Sequence, residues 1–491
     1  MNIILFNPAP RSGWQAQRRV ELPLSLLCPA TPLDRQGYRI KIIDEYANPN
    51  WRRDLMEAMR EKPICFGVTC MTGPQILHAL KGCKLVRKMY PDVPIIWGGI
   101  HGSLLPEQTL ENPNIDIVVV GEGEETFLEL VKALESGTPL SHVSGICYKE
   151  NGKVYHTGNR PFVNLDEQSP LSYHLIHMDH YRRRLFGVDH ISFNSSRGCT
   201  FGCAFCWESV FHGRKWRAMK AETVLDQIKR IIREYNIRGF LFTDDSFFID
   251  MKRAYDILYG IVRADLNITI GKLQIRADAI CRMDRDFLDL LVRAGAKRIH
   301  IGVESGSQRM LDFIKKGETV EKVIEANTKL VPYPIVPLYL FMMGLPTETP
   351  DEFAQSIRLA VQLTDENSRA VKTFNIYTPY PGTELYNFAV QLGLKEPQRL
   401  EDWPHFNFRN IPEESVCIEP KMRKLIMGLD FPLMFLGKGH FVTPYKKTNP
   451  FVVALSRLYY PIARYRVTNL DARFPIETKL IKALGLFGRQ D

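Results

Sequence analysis

The chain has 491 residues, which is too long for one ordinary hydrophobic core, so two or three domains are expected. Hydrophobic residues make up 45% and charged residues 24%, a composition typical of soluble globular proteins that excludes a disordered or fibrous chain. The formal net charge of +9 arises in residues 421–491, because the rest of the chain is neutral. The apolar run Ile3–Phe6 without a basic start indicates a buried strand and not a signal peptide, so the cytoplasm is the expected compartment.

Residues 1–145 alternate short apolar strands with helical patterns. This alternation predicts a parallel sheet with helices on both faces, in which ligands bind at the carboxyl ends of the strands. The predicted strands are Asn2–Phe6, Arg39–Ile43, Ile64–Thr69, Pro94–Trp97 and Ile115–Val120, and Gln75–Met89 is one of the predicted helices.

A linker of mixed character is predicted at residues 146–188, and the alternation resumes over residues 189–395. Six strand–helix units predict a partial barrel with functional groups at the strand ends. The strands are predicted at His190–Ser195, Gly239–Asp244, Lys272–Arg276, Arg298–Glu304, Val336–Met343 and Thr373–Thr378, with helices such as Ala221–Tyr235, Arg285–Ala294 and Pro350–Leu363. Residues 396–491 are predicted to be mainly helical.

Aromatic residues are interleaved with the positive charges of the C-terminal region. They are Phe435, Phe441, Tyr445, Phe451, Tyr459, Tyr460 and Tyr465. A solvated helical cap whose aromatic side chains pack inward is the favoured interpretation. Contact with an anionic partner stays open, and a peripheral membrane contact is retained as a prediction. No nucleic acid partner is expected.

The stretch CTFGCAFC, residues 199–206, holds three of the ten cysteines. Its C-x3-C-x2-C spacing is not that of a structural zinc site, and the nearby His212 has no partner at a ligand spacing. The thiolates of Cys199, Cys203 and Cys206 are suited to bind three irons of a 4Fe–4S cluster and to leave the fourth iron open for chemistry. A redox pair and a chance cluster were the alternatives, and the position after a predicted strand favours the iron–sulfur cluster.

CTFGCAFC resembles the signature of the radical S-adenosylmethionine (SAM) enzymes, down to Phe205 before the third cysteine. The resemblance implies that the open iron chelates SAM, whose reductive cleavage gives methionine and a 5′-deoxyadenosyl radical. It extends to later strand ends and implies SAM contacts from Phe205, from Asp244 or Asp245 in TDDS, from Arg276 in LQIRAD, from Glu304 in IGVES, and from Gly344 and Pro346 in MGLPTET. Two other interpretations stay open: Asp245 as a helix cap, and Glu304 as the partner of a barrel lysine.

The predicted strand ends of the first segment are rich in glycine and hydroxyl groups. The first loop, NPAPRSGW, does not fit the G-x-G-x-x-G pattern of a dinucleotide site. The arrangement instead resembles the cobalamin-binding domain that precedes some radical SAM barrels. It implies a cobalamin site at Thr69, Met71, Thr72, Gly98, Gly99, His101, Gly121, Glu122, Gly123 and Glu124. Residues 1–150 lack D-x-H-x-x-G, so the resemblance is to the subgroup in which no histidine binds cobalt. Glu122 and Glu124 are alternatively ordinary carboxylates at a helix N-terminus.

The resemblance therefore implies an α/β protein with an N-terminal Rossmann-like cobalamin-binding domain, a partial (β/α)6 TIM-type radical SAM barrel and a mainly helical C-terminal region. The expected function is methylation of an unactivated carbon of a small-molecule or lipid-like substrate, with a flavodoxin- or ferredoxin-type reductant. An oxidative cyclase or rearrangement enzyme without methyl transfer, and a non-catalytic cobalamin or redox sensor, are the alternatives.

Overall fold

The computed structural model describes residues 2–9, 21–406, 418–435 and 450–473. The chain divides into two compact units. Residues 1–182 and 396–412 form the first, and residues 183–395 and 413–491 form the second.

The first unit is a seven-stranded sheet with helices on its faces. Its strands are β1 (Asn2–Asn7), β2 (Arg39–Asp44), β3 (Cys65–Thr69), β4 (Ile95–Gly98), β5 (Ile117–Val119), β6 (Ile146–Glu150) and β7 (Lys153–His156). Its helices are α1 (Leu24–Arg35), α2 (Trp51–Met59), α3 (Gln75–Met89), α4 (Ile100–Leu104), α5 (Pro106–Glu111) and α6 (Glu124–Ser136). The strand order is β2-β1-β3-β4-β5-β6-β7, and β1 to β5 are parallel. Every residue of β3 is buried, as expected for a parallel strand covered on both faces.

The predicted linker differs from the structure in its first part. Residues 146–156 form the antiparallel hairpin β6–β7, which extends the first sheet beyond β5. Its two-residue turn is Asn151-Gly152, both with positive φ (50° and 75°), and Glu150 pairs with Lys153. Asn-Gly is the strongest short-range signal for such a turn, so the sequence contained the information that the linker prediction overlooked.

The second unit is built on a seven-stranded sheet and a two-stranded ribbon. Its strands are β8 (Arg183–Leu185), β9 (Val188–Phe193), β10 (Ser196–Arg197), β11 (Arg217–Ala218), β12 (Gly239–Phe242), β13 (Thr269–Ile275), β14 (Arg298–Glu304), β15 (Val336–Met343) and β16 (Val371–Ile376). Its helices are α7 (Trp207–Phe211), α8 (Ala221–Tyr235), α9 (Met251–Arg263), α10 (Ala277–Arg282), α11 (Arg285–Arg293), α12 (Gln308–Phe313), α13 (Val320–Leu330), α14 (Pro350–Glu366), α15 (Glu384–Gln391), α16 (Pro420–Leu433) and α17 (Pro450–Thr468).

The large sheet of this unit is the predicted partial barrel. Its order is β16-β15-β14-β13-β12-β9-β8, in which the six strands from β9 to β16 are parallel and β8 is an antiparallel edge. Helices cover one face: the Tyr339 hydroxyl of β15 donates to Asn327 of α13 at 2.8 Å, and Phe374 of β16 packs on Phe353 of α14. The α/β fold class, with a Rossmann-like first unit and a (β/α)6 barrel, is thereby confirmed.

The C-terminal region is divided between the units. Residues 396–406 belong to the first unit and contain the 3-10 helix Leu400–His405, whereas α16 and α17 belong to the second. The Phe435 side chain is buried against Tyr459, as the cap interpretation expects, but Tyr465 is 61% exposed. Phe441, Tyr445 and the side chain of Phe451 lie outside the described residues. Within the described ranges, no helix combines the length and the apolar character needed to cross a bilayer.

Candidate functional site

The cysteine loop follows β9 and is fixed to two later elements of the barrel. The Ala204 amide donates to the Ile314 carbonyl after α12, and the Ala204 carbonyl accepts from the Leu385 amide in α15, both at 2.9 Å. Just before the loop, Ser196 pairs with Ala218 in the β10–β11 ribbon. The backbone is therefore fixed by neighbouring elements of this unit both before the first cysteine and between the second and the third.

The three thiols share one largely buried location. Burial raises the pKa of each, and raises that of Cys206 to about 12, while Cys203 adds to the rise at both Cys199 and Cys206. The positive charges of Lys316 and Arg276 oppose this rise at Cys203. The grouping of three thiols on one loop fits a metal centre, in which a bound cation takes the place of the thiol protons. These residues fit the predicted 4Fe–4S cluster.

The two aspartates of TDDS have different roles. Asp244 is completely buried and accepts hydrogen bonds from the hydroxyls of Ser195 (2.6 Å) and Ser196 (2.5 Å). It therefore anchors the backbone that leads into the cysteine loop. Asp245 accepts from the Gly198 amide at 2.9 Å, next to the first cysteine. Asp244 is thus used within the fold, and a SAM contact from Asp245 stays a prediction.

Arg276 lies against the cysteine loop. Its guanidinium carbon is 3.8 Å from the ring centroid of Phe201, between the first two cysteines. The same group donates to Asp278 at 3.1 Å and to the Gly317 carbonyl at 3.0 Å. An arginine can stack on an aromatic ring while its N–H groups donate hydrogen bonds. This combination fixes the plane of the guanidinium.

Glu304 ends β14 in a strained conformation and pairs with a lysine. Its φ is +64°, a region that costs a residue with a side chain roughly 1–2 kcal/mol. Its carboxylate accepts from Lys316 at 2.8 Å, and both side chains are buried. Burial lowers the pKa of Lys316, but the charges of Glu304, Cys203 and Glu318 outweigh this and the net shift is upward. Glu304 thus has the lysine partner that the sequence left open, within reach of the thiols.

The β15 end and Phe205 form an apolar wall beside the loop. Phe205 packs on a buried cluster of Ala204, Met310, Leu311, Ile314, Leu345, Tyr377 and Leu385. Gly344 has φ +75°, and a Cβ there would meet Ile418 and Ile426 at 2.8 and 3.2 Å, so its missing side chain is explained by packing on the C-terminal segment. Pro346 is buried, and Glu348 accepts from the Gly344 amide at 2.7 Å.

A buried group beside the loop escaped the sequence analysis. Glu208 on α7 and His212, which directly follows this helix, lie one turn apart, with Nε2 of His212 3.4 Å from Oε2 of Glu208, and Asp245 completes the group. Burial and then the charge of Asp245 raise the pKa of Glu208, which favours the protonated form of this carboxyl. His212 therefore does have a partner at helical spacing. The signal was the i, i+4 spacing directly after Cys206. Lys316 and Glu318, in the run KKGE (residues 315–318), were also not predicted as site residues.

Gly198→Ala is expected to displace the cysteine loop. Gly198 has φ +80°, and a Cβ there would collide with the Lys215 carbonyl oxygen. The left-handed backbone and the clash should together cost about 2–4 kcal/mol in the free energy of unfolding and reduce bound iron after reconstitution. Gly187→Ala is the matched control, because its φ of +78° is the same and a Cβ there meets no atom within 4 Å. Equal iron content in the two variants would contradict a steric role for Gly198.

The barrel face opposite the helices is half-exposed. Along β15 buried and half-buried residues alternate strictly, and the half-buried set includes Leu338 and Leu340. His300 of β14 pairs with Leu338 on one side and with Gln274 of β13 on the other. This face is therefore polar on β13 and β14 and aliphatic on β15.

In the first unit, the loop after β3 is tied to the end of β4. The Cys70 amide donates to the Gly98 carbonyl at 3.0 Å, and a Cβ on Gly99 (φ +88°) would approach the Cys70 carbonyl oxygen to 2.7 Å. Thr69 is buried beside Gly99, whereas Met71 at the tip of the loop is 48% exposed.

His101 lies in the interior of the first unit and not at the exposed strand ends. Its side chain is fully buried, its Nδ1 is 3.0 Å from the Thr72 hydroxyl, and its Nε2 has no hydrogen-bond partner. Trp403, from the 3-10 helix, packs edge-on against the ring at 5.4 Å. The Trp403 indole NH donates to Gln108 at 2.5 Å. His101 therefore positions the loop through Thr72, and a cobalamin contact from His101 stays a prediction.

His101 is expected to make stability depend on pH. Burial lowers its pKa to about 3, against about 6.5 for an unfolded histidine. Between these values the unfolded chain binds a proton that the folded chain does not. The unfolding free energy should thus fall as pH drops below about 6.5, by at most about 1.4 kcal/mol per pH unit. In urea unfolding between pH 7.5 and 5.5, the free energy of unfolding should decrease less for His101→Gln than for wild type. His142 is exposed, so His142→Gln should show the same decrease as wild type.

In the GEGEET stretch, residues 121–126, Gly121 borders open space, whereas Glu122 and Glu124 contact the surrounding fold. A Cβ at Gly121 (φ +81°) or at Gly98 would meet no atom within 4 Å, so the space next to both glycines is open. Glu122 accepts from the Val163 amide at 3.0 Å, Gly123 precedes α6, and Glu124 is buried in its first turn. The open glycines and the exposed loop after β3 fit a large flat ligand such as cobalamin, whereas both glutamates serve the local fold.

Two family models match the chain. The radical SAM superfamily model matches residues 193–360, and the B12 binding domain model matches residues 19–131. An uncharacterized methyltransferase of Pyrococcus horikoshii, PH0819, is 34% identical over 79% of this chain and 83% of its own length. The anaerobic magnesium-protoporphyrin IX monomethyl ester cyclase of Rubrivivax gelatinosus is 29% identical over 79% of this chain and 68% of its own.

A solved structure shares the fold over nearly the whole chain. The radical SAM methyltransferase TsrM from Kitasatospora setae, with cobalamin and a 4Fe–4S cluster bound, has a TM-score of 0.70 and 17% identity, covering 98% of this chain and 99% of that one. The domain matches confirm the predicted cofactors, which are a 4Fe–4S cluster, SAM and cobalamin. The chain belongs to the radical SAM superfamily, among the enzymes whose barrel follows a cobalamin-binding domain.

Proposed function

We propose that this enzyme is a cobalamin-dependent radical SAM methyltransferase that acts on an unactivated carbon of a small-molecule or lipid-like substrate. The observation that carries the proposal is the group of three thiols on one loop, with the buried charges of Arg276, Glu304 and Lys316 next to it. The similarity to two methyltransferases, PH0819 and TsrM, supports the choice of reaction.

When bound, the cluster supplies the electron that cleaves SAM, and cobalamin supplies the methyl carrier. The chain's own residues bind and orient. Cys199, Cys203 and Cys206 hold the cluster. Arg276, whose plane is fixed by Phe201, is proposed to orient the carboxylate of SAM, and Glu304 is proposed to accept from a ribose hydroxyl. The apolar wall around Phe205 excludes water, which a carbon radical requires.

The half-exposed barrel face is the proposed substrate surface. Its aliphatic half, with Leu338 and Leu340, suits a hydrocarbon, and its polar half, with Gln274 and His300, suits a hydrogen-bonding group. This mixed character supports a small or lipid-like molecule. A flavodoxin- or ferredoxin-type protein is the proposed reductant.

A second candidate is an oxidative cyclase, favoured by the 29% identity to the magnesium-protoporphyrin monomethyl ester cyclase. The test is mass spectrometry after reconstituted enzyme, deuteromethyl-labelled SAM and a strong reductant are incubated with a small-molecule extract of the source cells. The methyltransferase predicts a compound that gains the labelled methyl group in place of hydrogen. A compound that loses hydrogens without added carbon would establish the cyclase, and failure to release 5′-deoxyadenosine would favour the sensor.

A further inference from the structure

Helix α17 packs on the second unit through one face. Ala463 and Val467 are fully buried there, and Arg466 donates to the Gly428 carbonyl of α16 at 3.4 Å. Arg464 forms a 2.7 Å ion pair with Asp365 of α14. The rotation of the helix about its own axis is thereby fixed, and with it the face that points away from the unit.

That outward face is apolar. Leu458 is 74% exposed, Ile462 54% and Tyr465 61%, and their i, i+4, i+7 spacing places them in one stripe. Pro461 is exposed between them. A solvent-facing helix surface normally carries polar residues, so a stripe of this kind marks a surface that becomes covered.

The net charge of the C-terminal region indicates what covers the stripe. Residues 421–491 contain 13 Lys and Arg against 4 Asp and Glu, and the exposed Arg457 directly precedes the stripe. Two copies of this chain meeting at α17 would bring two regions of net charge +9 together, and these would repel. A surface that is anionic outside and apolar beneath is complementary to both features.

We infer that α17 lies in the interface of an anionic lipid bilayer, with Leu458, Ile462 and Tyr465 inserted among the lipids and the exposed Arg457 on the headgroups. The contact is peripheral and reversible, because it uses one stripe of a helix that stays packed on the barrel unit. The inference does not depend on which reaction the enzyme catalyses.

The test is sedimentation of the full-length protein with vesicles. Wild type should pellet with phosphatidylcholine–phosphatidylglycerol vesicles, less with phosphatidylcholine alone, and less when salt is added. L458S/I462S should weaken binding to the anionic vesicles about tenfold or more while 5′-deoxyadenosine release is unchanged. The matched control is Y255S/Y259S, which removes two exposed stacked tyrosines of α9 (41% and 49% exposed).

The inference would be overturned by no binding of wild type, by equal loss in both double variants, or by salt-independent binding. A wild-type dimer that L458S/I462S converts to a monomer would also overturn it, because the occupant of the stripe would then be a second copy. Circular dichroism that matches wild type ensures that a loss of binding in L458S/I462S reports the stripe and not unfolding.

Discussion

Cys203→Ala is expected to abolish the chemistry of the protein while leaving its first unit intact. Cys203 is the most buried of the three thiols and the one that influences both others. Without it the loop offers two ligands, too few to hold a 4Fe–4S cluster that is open at one iron. Bound iron should fall to background, and 5′-deoxyadenosine release should drop by at least about 10³-fold. Cobalamin binding should persist, because its predicted residues belong to the other unit.

Cys281→Ala is the control for loss of a thiol. Cys281 is a half-buried free thiol on α10, outside the loop, whose sulfur is 3.3 Å from the Lys322 carbonyl oxygen. This variant should retain wild-type iron and activity. Cys203→Ala protein that still bound a full cluster and cleaved SAM would show that the three-cysteine assignment is wrong.

Lys316→Met should produce the largest loss of stability. The substitution leaves the Glu304 carboxylate buried at the end of β14 without its cation. Breaking such a pair by removing one partner costs about 3–5 kcal/mol in the free energy of unfolding. The thiolate of Cys203 also loses a stabilising charge, so reconstitution with iron should be less complete. Urea unfolding measures the first consequence, and the iron content after reconstitution measures the second.

The neighbouring lysine is the matched control. Lys315 pairs with Glu384 at 2.6 Å, but both side chains are more than half exposed. Lys315→Met should therefore change stability by about 0–1 kcal/mol. The double variant Lys316→Met/Glu304→Met should recover part of the loss, because no unpaired charge remains buried. Equal effects of the two single lysine substitutions would refute the buried pair.

Periodicity and turn residues predicted most of the fold. Helices Gln75–Met89 and Ala221–Tyr235 and strands Arg298–Glu304 and Val336–Met343 have the predicted bounds, because their apolar residues alternate or repeat cleanly and defined end signals flank them. The other strands differ by a few residues at their ends. The hairpin at Asn151-Gly152 was missed although its turn signal is local. The return of residues 396–406 to the first unit, by contrast, has no local signal, because it depends on contacts such as Trp403 with His101.

The candidate site was less fully predictable. The cysteine spacing identifies the cluster loop. Spacing alone does not show which of two adjacent aspartates turns inward, and in the structure it is Asp244, which accepts hydrogen bonds from Ser195 and Ser196. Nor does sequence reveal that Lys316, twelve residues after Glu304, returns to it. Such pairs arise from the chain path between strand ends, which leaves no periodic pattern.

The most direct test of the account is to quantify the two products of SAM under turnover conditions. An enzyme that takes its radical from one SAM and its methyl group from another should release 5′-deoxyadenosine and S-adenosylhomocysteine in about equal amounts when cobalamin is present. Without cobalamin, S-adenosylhomocysteine should disappear. Substrate-dependent 5′-deoxyadenosine without S-adenosylhomocysteine, from protein loaded with cobalamin, would contradict methyl transfer.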